Sequence, residues 1–199
     1  RRDWMLSNGT SHPLDKKSGT QNALAATLYI LGLPGSTYMY QGEELGLHEV
    51  TDIPEKDIQD PQYLRNLKVD KGRDGCRVPL PWTKTGSSFG FGTGGAHLPQ
   101  PNWFADYSVE AEEKDSSSPL SIYRTALALR KELQTKEVIK WHKTKDISVL
   151  HYSRPNGWHC ITNFRGHPYP MPKGEILIAS SPLVNGRITA GTTVWFWKK

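Results

Sequence analysis

Leu33-Pro34-Gly35-Ser36-Thr37-Tyr38-Met39-Tyr40-Gln41-Gly42-Glu43-Glu44-Leu45-Gly46-Leu47 is the stretch on which the fold turns. Pro34-Gly35 makes a turn, since proline presets φ and glycine supplies freedom behind it. Residues 36–40 are rich in β-formers and predict a strand. Upstream, a helix that Ser18 or Thr20 can cap runs to about Leu31, and Gly32 ends it. Before it, residues 3–7 predict a short strand. Strand, helix and strand with short connections are the grammar of a parallel sheet.

Downstream, residues 46–118 show no long periodic stretch and are rich in Pro, Gly, Asp and Ser. A loop of that length inside a domain is usually functional or disordered. A short helix is expected near 61–67. Gly90-Phe91-Gly92-Thr93-Gly94-Gly95 fits G-x-G-x-x-G, but no strand precedes it and no helix follows, so it is read as a loop. Residues 119–133 predict the clearest helix, with Ser118 as cap, Pro119 in the first position, and Ile122, Ala126, Leu129 and Leu133 as an apolar stripe.

From about residue 138 the period changes to two. Runs 147–152 and 158–163 flank Arg154-Pro155-Asn156-Gly157, a hairpin signal. Runs 175–179, 187–189 and 193–197 add strands, and Pro168, Pro170 and Pro172 mark a loop. The tail is therefore a small antiparallel β domain. Trp158, Trp195 and Trp197 lie in it, either as core or as an exposed aromatic platform.

Composition narrows the function classes. Of 199 residues, 36% are hydrophobic and 23% charged, which excludes a chain disordered throughout. No apolar run approaches the roughly 18 residues of a membrane helix. Arg1-Arg2-Asp3-Trp4 does not open a signal peptide and reads like the middle of a sequence. Cys76 and Cys160 lie far apart and make no disulfide framework, so a reducing cytoplasm is the expected location. From Leu120 onward there are 13 Lys/Arg against 4 Asp/Glu, while the first 119 residues carry 12 against 16. No basic run exceeds two residues and no nucleic-acid motif appears, so this is a solvated basic face rather than a nucleic-acid surface. His48, His97 and His151 show no ligand spacing; neither a metal nor a cofactor is expected.

The stretch 33–47 and a second block, Arg73-Asp74-Gly75-Cys76-Arg77-Val78-Pro79-Leu80-Pro81-Trp82, resemble the α-glucosidases and oligo-1,6-glucosidases of glycoside hydrolase family thirteen, within the α-amylase superfamily. The likeness continues through Leu98-Pro99, Trp103 and Ser108-Val109-Glu110-Ala111. It implies the last two βα units of a (β/α)8 barrel at 1–135, with a long loop at 46–118, followed by an antiparallel β domain at 138–199. A whole barrel takes about 250 residues.

The resemblance also implies what the site holds. Retaining glycosidases work with two carboxyl groups roughly 5–5.5 Å apart. In the family these stand on the fourth and fifth strands, which have no counterpart here. A third carboxylate belongs to a Ser-Asn-His-Asp motif on the seventh strand, where this chain reads Ser7-Asn8-Gly9-Thr10. A threonine hydroxyl carries no negative charge to balance an oxocarbenium ion. No catalytic residue is therefore assigned. Glu43 and Glu44 make no catalytic pair, since neighbours on a strand face opposite ways. Asn8, Glu43, Arg77 and Trp82 are the substrate-side candidates: an arginine fork suits hydroxyls and an indole suits the apolar face of glucose. Arg73 and Asp74 are expected to form a local ion pair.

Two functions follow as expectations. The first is the C-terminal portion of a retaining α-glucosidase acting on terminal α-linked glucose or an oligosaccharide, inactive as this chain alone. The second is a non-catalytic carbohydrate-binding or protein-interaction module. Two βα units leave strand edges and helix faces without neighbours, so a second copy or the missing barrel segment is expected over residues 23–45.

Overall fold

The computed structural model describes residues 15–66 and 71–198. They belong to two compact units: Tyr40–Ser121, and Asp15–Met39 together with Ile122–Lys199. The expected strand at 3–7 lies outside the described residues. The α-helices among the described residues are α1 (Lys16–Gly32), α2 (Pro61–Arg65), α3 (Asp74–Arg77), α4 (Val109–Glu112) and α5 (Pro119–Glu132).

In the second unit, α1 starts earlier than a Ser18 or Thr20 cap would allow. Asp15 is the N-cap, and its carboxylate accepts from the Ser18 N–H at 2.9 Å. An acid suits this end twice over, as hydrogen-bond acceptor and as countercharge to the helix dipole. The tail follows its two-residue period. Strands β1 (Lys140–Trp141), β2 (Val149–Ser153), β3 (Trp158–Asn163), β5 (Gly174–Ala179) and β7 (Thr192–Lys198) form one antiparallel sheet in the order β1-β2-β3-β7-β5. A separate pair, β4 (Tyr169–Pro170) and β6 (Arg187–Ile188), lies between them in sequence. The β2–β3 hairpin closes where Asn156-Gly157 predicts it, with Gly157 at φ 97° and its N–H donating to Arg154 C=O at 2.9 Å.

Alternation sorts the sheet's two faces. Tyr152, Cys160 and Trp195 are register partners across three strands and share a core with Leu28 and Leu31 of α1 and Ala126 of α5. The opposite face gathers Val149, Ile161, Val194 and Phe196 with Ile188 of β6. Each fully buried side chain of this size contributes roughly 2–3 kcal/mol. Trp158 and Trp195 are core residues, and their indole N–H groups donate to Leu133 and Leu28 carbonyls.

A polar seam adds direction to that packing. Four α1 carbonyls accept from the β domain: Ala25 from Thr193 Oγ1 at 2.7 Å, Leu28 from Trp195 Nε1 at 2.9 Å, Tyr29 from Tyr152 Oη at 2.8 Å and Gly32 from Arg154 at 2.9 Å. Their spacing of three and four residues is one face of a helix. A carbonyl has two lone pairs, so each can serve the helix and the sheet together. Arg130 of α5 then takes the carbonyls of Leu31, Leu33 at 3.0 Å and Gly35 at 2.6 Å.

The first unit is mostly loop around a core of Leu45, Leu47, Val50, Ile53, Val78, Leu98, Phe104 and Leu120. Asp60 caps α2, and Ser118 caps α5 by accepting from Ser121 N–H. Gly90 ends a short 3-10 helix (Ser87–Gly90), and residues 91–95 form a loop without helix or strand. The expected strand at 36–40 is a correction. The segment has no ladder partner, with Tyr38 95% exposed. A barrel strand takes its hydrogen bonds from strands on both sides, and the described residues offer it none.

Gly32 sits where the seam is tightest. A Cβ there would collide with Tyr152 Oη and stand 3.2 Å from the Trp158 ring. Gly32→Ala is therefore expected to destabilise the chain by about 2 kcal/mol or more, although alanine favours helix. Arg154→Ala, which strips donors from Gly32, Lys136 and Val138 carbonyls, is expected to cost about 2–4 kcal/mol. Urea unfolding of both variants measures this.

Candidate functional site

The candidate residues that the structure describes, Glu43, Arg77 and Trp82, all fall in the loop-rich unit. Asn8, with Ser7, Gly9 and Thr10, lies outside the described residues. Glu43 and Glu44 occupy a turn at 41–46 rather than a strand. Glu44 folds back to accept from Gly42 N–H at 2.8 Å, while Glu43 is exposed.

Arg77 ends α3, which packs against residues 49–50 so closely that a Cβ on Gly75 would strike the Val50 carbonyl. Its guanidinium lies 3.1 Å from Asp60 and 3.7 Å from Asp74. Asp74 is buried and accepts the N–H groups of Gln59 and Asp60 at 2.5 and 2.8 Å. Asp60 in turn accepts from Gln62, Arg73 and Arg77. The N–H groups of Gln62 and Arg73, then the Arg77 charge, hold Asp60 below the usual carboxylate range. Arg73 thus enters this network through its main chain, and Asp74 pairs with Arg77. The Arg77 side chain remains 42% exposed, so one end is anchored and the other reaches solvent.

Trp82 has a half-exposed indole on a fixed backbone. Its N–H donates to Phe89 C=O at 2.8 Å and its carbonyl accepts from Glu110 N–H at 3.0 Å. The loop that returns to it holds Ser88 and Phe89 at φ 51° and 47°, a left-handed conformation that costs L-residues energy. The geometry presents one flat aromatic surface and one tethered guanidinium. Among the described residues no hydrogen bond or ion pair joins Glu43, Arg77 and Trp82 to one another.

Residues 9–138 match the family described as alpha amylase, catalytic domain. The chain belongs to that family. A probable α-glucosidase of Rhizobium meliloti (strain 1021) is 35% identical over 130 residues, covering 64% of this chain and 23% of the relative. A probable oligo-1,6-glucosidase 2 of Bacillus subtilis (strain 168) is 31% identical over 133 residues, covering 58% and 23%. The crystal structure of an α-glucosyl transfer enzyme, XgtA, superposes with a TM-score of 0.69 at 29% identity, over 89% of this chain and 35% of that one. The chain spans about a quarter of the length of the curated relatives it matches. Its fold class is that of part of an α-amylase-family barrel with an antiparallel β domain.

Three groups in this family member escape a reading of the sequence. A cavity of ≈230 Å³ lies beside Arg130 and Arg154, but both guanidiniums are engaged by main-chain carbonyls. His142, His151 and His159 meet on one face of the sheet, each offering a ring nitrogen within 4.8 Å of the others. Alternate positions on adjacent strands are the only linear signal for that meeting. Glu112 is 7% exposed and accepts from Leu120 N–H in the first turn of α5 at 3.0 Å. Burial pushes its carboxyl up to about 7 against the Leu120 hydrogen bond, and Asp115 and Glu44 add to the rise. Its oxygen serves the helix terminus, so it is a proton-sensitive cap rather than a group for substrate chemistry.

A carboxyl raised in the folded state stabilises fully below its unfolded value near 4.5 and loses that stabilisation as pH climbs through about 7. Glu112→Gln keeps an acceptor for Leu120 and removes the charge. The variant is expected to flatten stability between pH 4.5 and 7 and to be the more stable protein at pH 8, by up to about 3 kcal/mol. Thermal melts across that range check it.

Proposed function

We propose that this chain is the C-terminal portion of a retaining α-glucosidase that hydrolyses terminal α-linked glucose, and that it supplies the substrate-side rim rather than the reacting carboxylates. The observation that carries the reading is the α-amylase catalytic-domain match over residues 9–138, with relatives named as α-glucosidase and oligo-1,6-glucosidase. On this reading residues 1–135 belong to the barrel and 138–199 to the antiparallel β domain.

The roles follow from chemistry. The exposed indole of Trp82 offers an apolar plane to a glucose ring, and its backbone is pinned, so little order is lost on binding. The Asp60–Asp74–Arg77 network orients the guanidinium while leaving part of it in solvent to donate to hydroxyls. Glu43 is an exposed acceptor at the rim, and Asn8 is the matching residue of the Ser-Asn motif. Bond cleavage needs two carboxyl groups on facing sides of the scissile bond. The resemblance places both on strands with no counterpart here, and Thr10 leaves the third position uncharged.

In the full-length protein that contains this chain, Arg77→Ala and Trp82→Ala are each expected to raise KM for a terminal α-glucoside about tenfold, or about 1.4 kcal/mol, with a smaller change in kcat. An unchanged KM in both variants contradicts the assigned roles. Apolar side chains at Ile30, Tyr38, Met39 and Tyr40 are 44–95% exposed, which supports a partner there, either a second copy or the rest of the barrel. The isolated chain is expected to self-associate by light scattering. A monomer whose amides across residues 23–45 resist hydrogen exchange contradicts that.

A further inference from the structure

Three histidines of the β domain meet although they are separated by up to 17 positions in sequence. Strand register explains the meeting. His142 directly follows β1 and donates its N–H to His151 C=O of β2 at 2.9 Å, so the two residues stand opposite each other. His159 of β3 pairs with Ser153, two residues from His151 on the same strand. Two steps along a strand return to the same face. All three imidazoles therefore project from one side of three neighbouring strands, with ring centroids 4.5–5.1 Å apart.

The contacts are those of a nitrogen cage. His151 Nε2 and His159 Nδ1 face each other at 2.9 Å. Ser153 Oγ lies 2.8 Å from His142 Nε2 and fixes that ring, the kind of outer partner that orients metal-binding imidazoles. Phe196 stacks on His159 at 5.2 Å and walls the base. His159 is buried; His142 and His151 are half-buried, which leaves one side open to solvent. Two nitrogens on a tetrahedral zinc at 2.0–2.1 Å stand roughly 3.3 Å apart. The His151–His159 pair would open by about 0.4 Å and the third ring, whose nitrogen lies within 4.8 Å of the others, would close by up to about 1.5 Å to admit one.

We propose that His142, His151 and His159 form a binding site for a divalent transition metal, zinc foremost, with its fourth position open to water. Neutral imidazole suits zinc, copper and nickel. Lys140 and Lys198 lie close enough to the cluster to disfavour positive charge there. That charge weakens the hold on any cation, so an ion has to be retained by nitrogen donation, which zinc favours and magnesium and calcium, as oxygen-seeking ions, do not. The site stands on the β domain's own strands and does not depend on the glycosidase reading.

The test uses the 199-residue chain, stripped with chelator and then titrated with zinc chloride against a chromophoric zinc indicator. Cobalt(II) is added in parallel to read coordination geometry from its visible spectrum. One equivalent of zinc is expected to bind, cobalt to give a tetrahedral spectrum, and the ring nitrogens of all three histidines to shift in NMR of the unsubstituted chain. His142→Ala and His151→Ala are each expected to weaken binding at least tenfold, with His97→Ala unchanged. His142 lies at the sheet edge, where removal of its ring leaves the core intact. Absence of saturable binding, binding equal in all variants, or histidine signals unmoved by zinc would each overturn the site and leave a plain His151–His159 hydrogen bond.

Discussion

Four carbonyls on one face of α1 hold the described β domain to its helix. Ala25, Leu28, Tyr29 and Gly32 each accept from a different side chain of the β domain. Apolar packing alone is non-directional and tolerates a helix that slides or rotates. Threonine, tryptophan, tyrosine and arginine donors at fixed spacing do not. A one-residue shift of α1 would leave Trp195 Nε1, Tyr152 Oη and Arg154 with buried, unsatisfied donors, each costing roughly 1–3 kcal/mol. The register of the sheet and the position of α1 therefore specify one another.

What leaves α1 is governed by the same device. Arg130 grips Leu31, Leu33 and Gly35 carbonyls, and Arg154 grips Gly32, so positive charge meets the negative end of the helix dipole. The other compact unit has its own anchor. There the buried Asp74 organises Gln59 and Asp60 main-chain groups, and Asp60 and Asp74 together seat Arg77. Arginine thus finishes a backbone in one unit and is held toward solvent in the other. The carboxylates make the second arrangement affordable in a chain region with almost no regular structure.

The β domain was legible because its signals are local. Alternation and Asn156-Gly157 carry strand and turn within a few residues, and Ser118-Pro119 marks the start of α5. The seam was not legible, since main-chain acceptors have no letter in a sequence. The α1 cap moved to Asp15 because three acceptable caps compete within six residues, and only the helix dipole and the geometry decide among them. Residues 36–40 have strand composition without a strand, for composition supplies no neighbour to pair with. At the candidate site, family likeness singled out Arg77 and Trp82, while the supporting Asp60 and the cap Glu112 stayed hidden because their roles depend on contacts 13–17 and 8 residues away. The histidine cluster is hidden for the same reason, as its members meet only through register.

The central functional claim is that this chain holds a glucoside-facing rim without the carboxylates that break the bond. Incubation of the purified 199-residue polypeptide with a nitrophenyl α-glucoside measures it directly. No release of nitrophenol above the buffer rate is expected. Clear turnover by the chain, abolished by an α-glucosidase inhibitor, would contradict it.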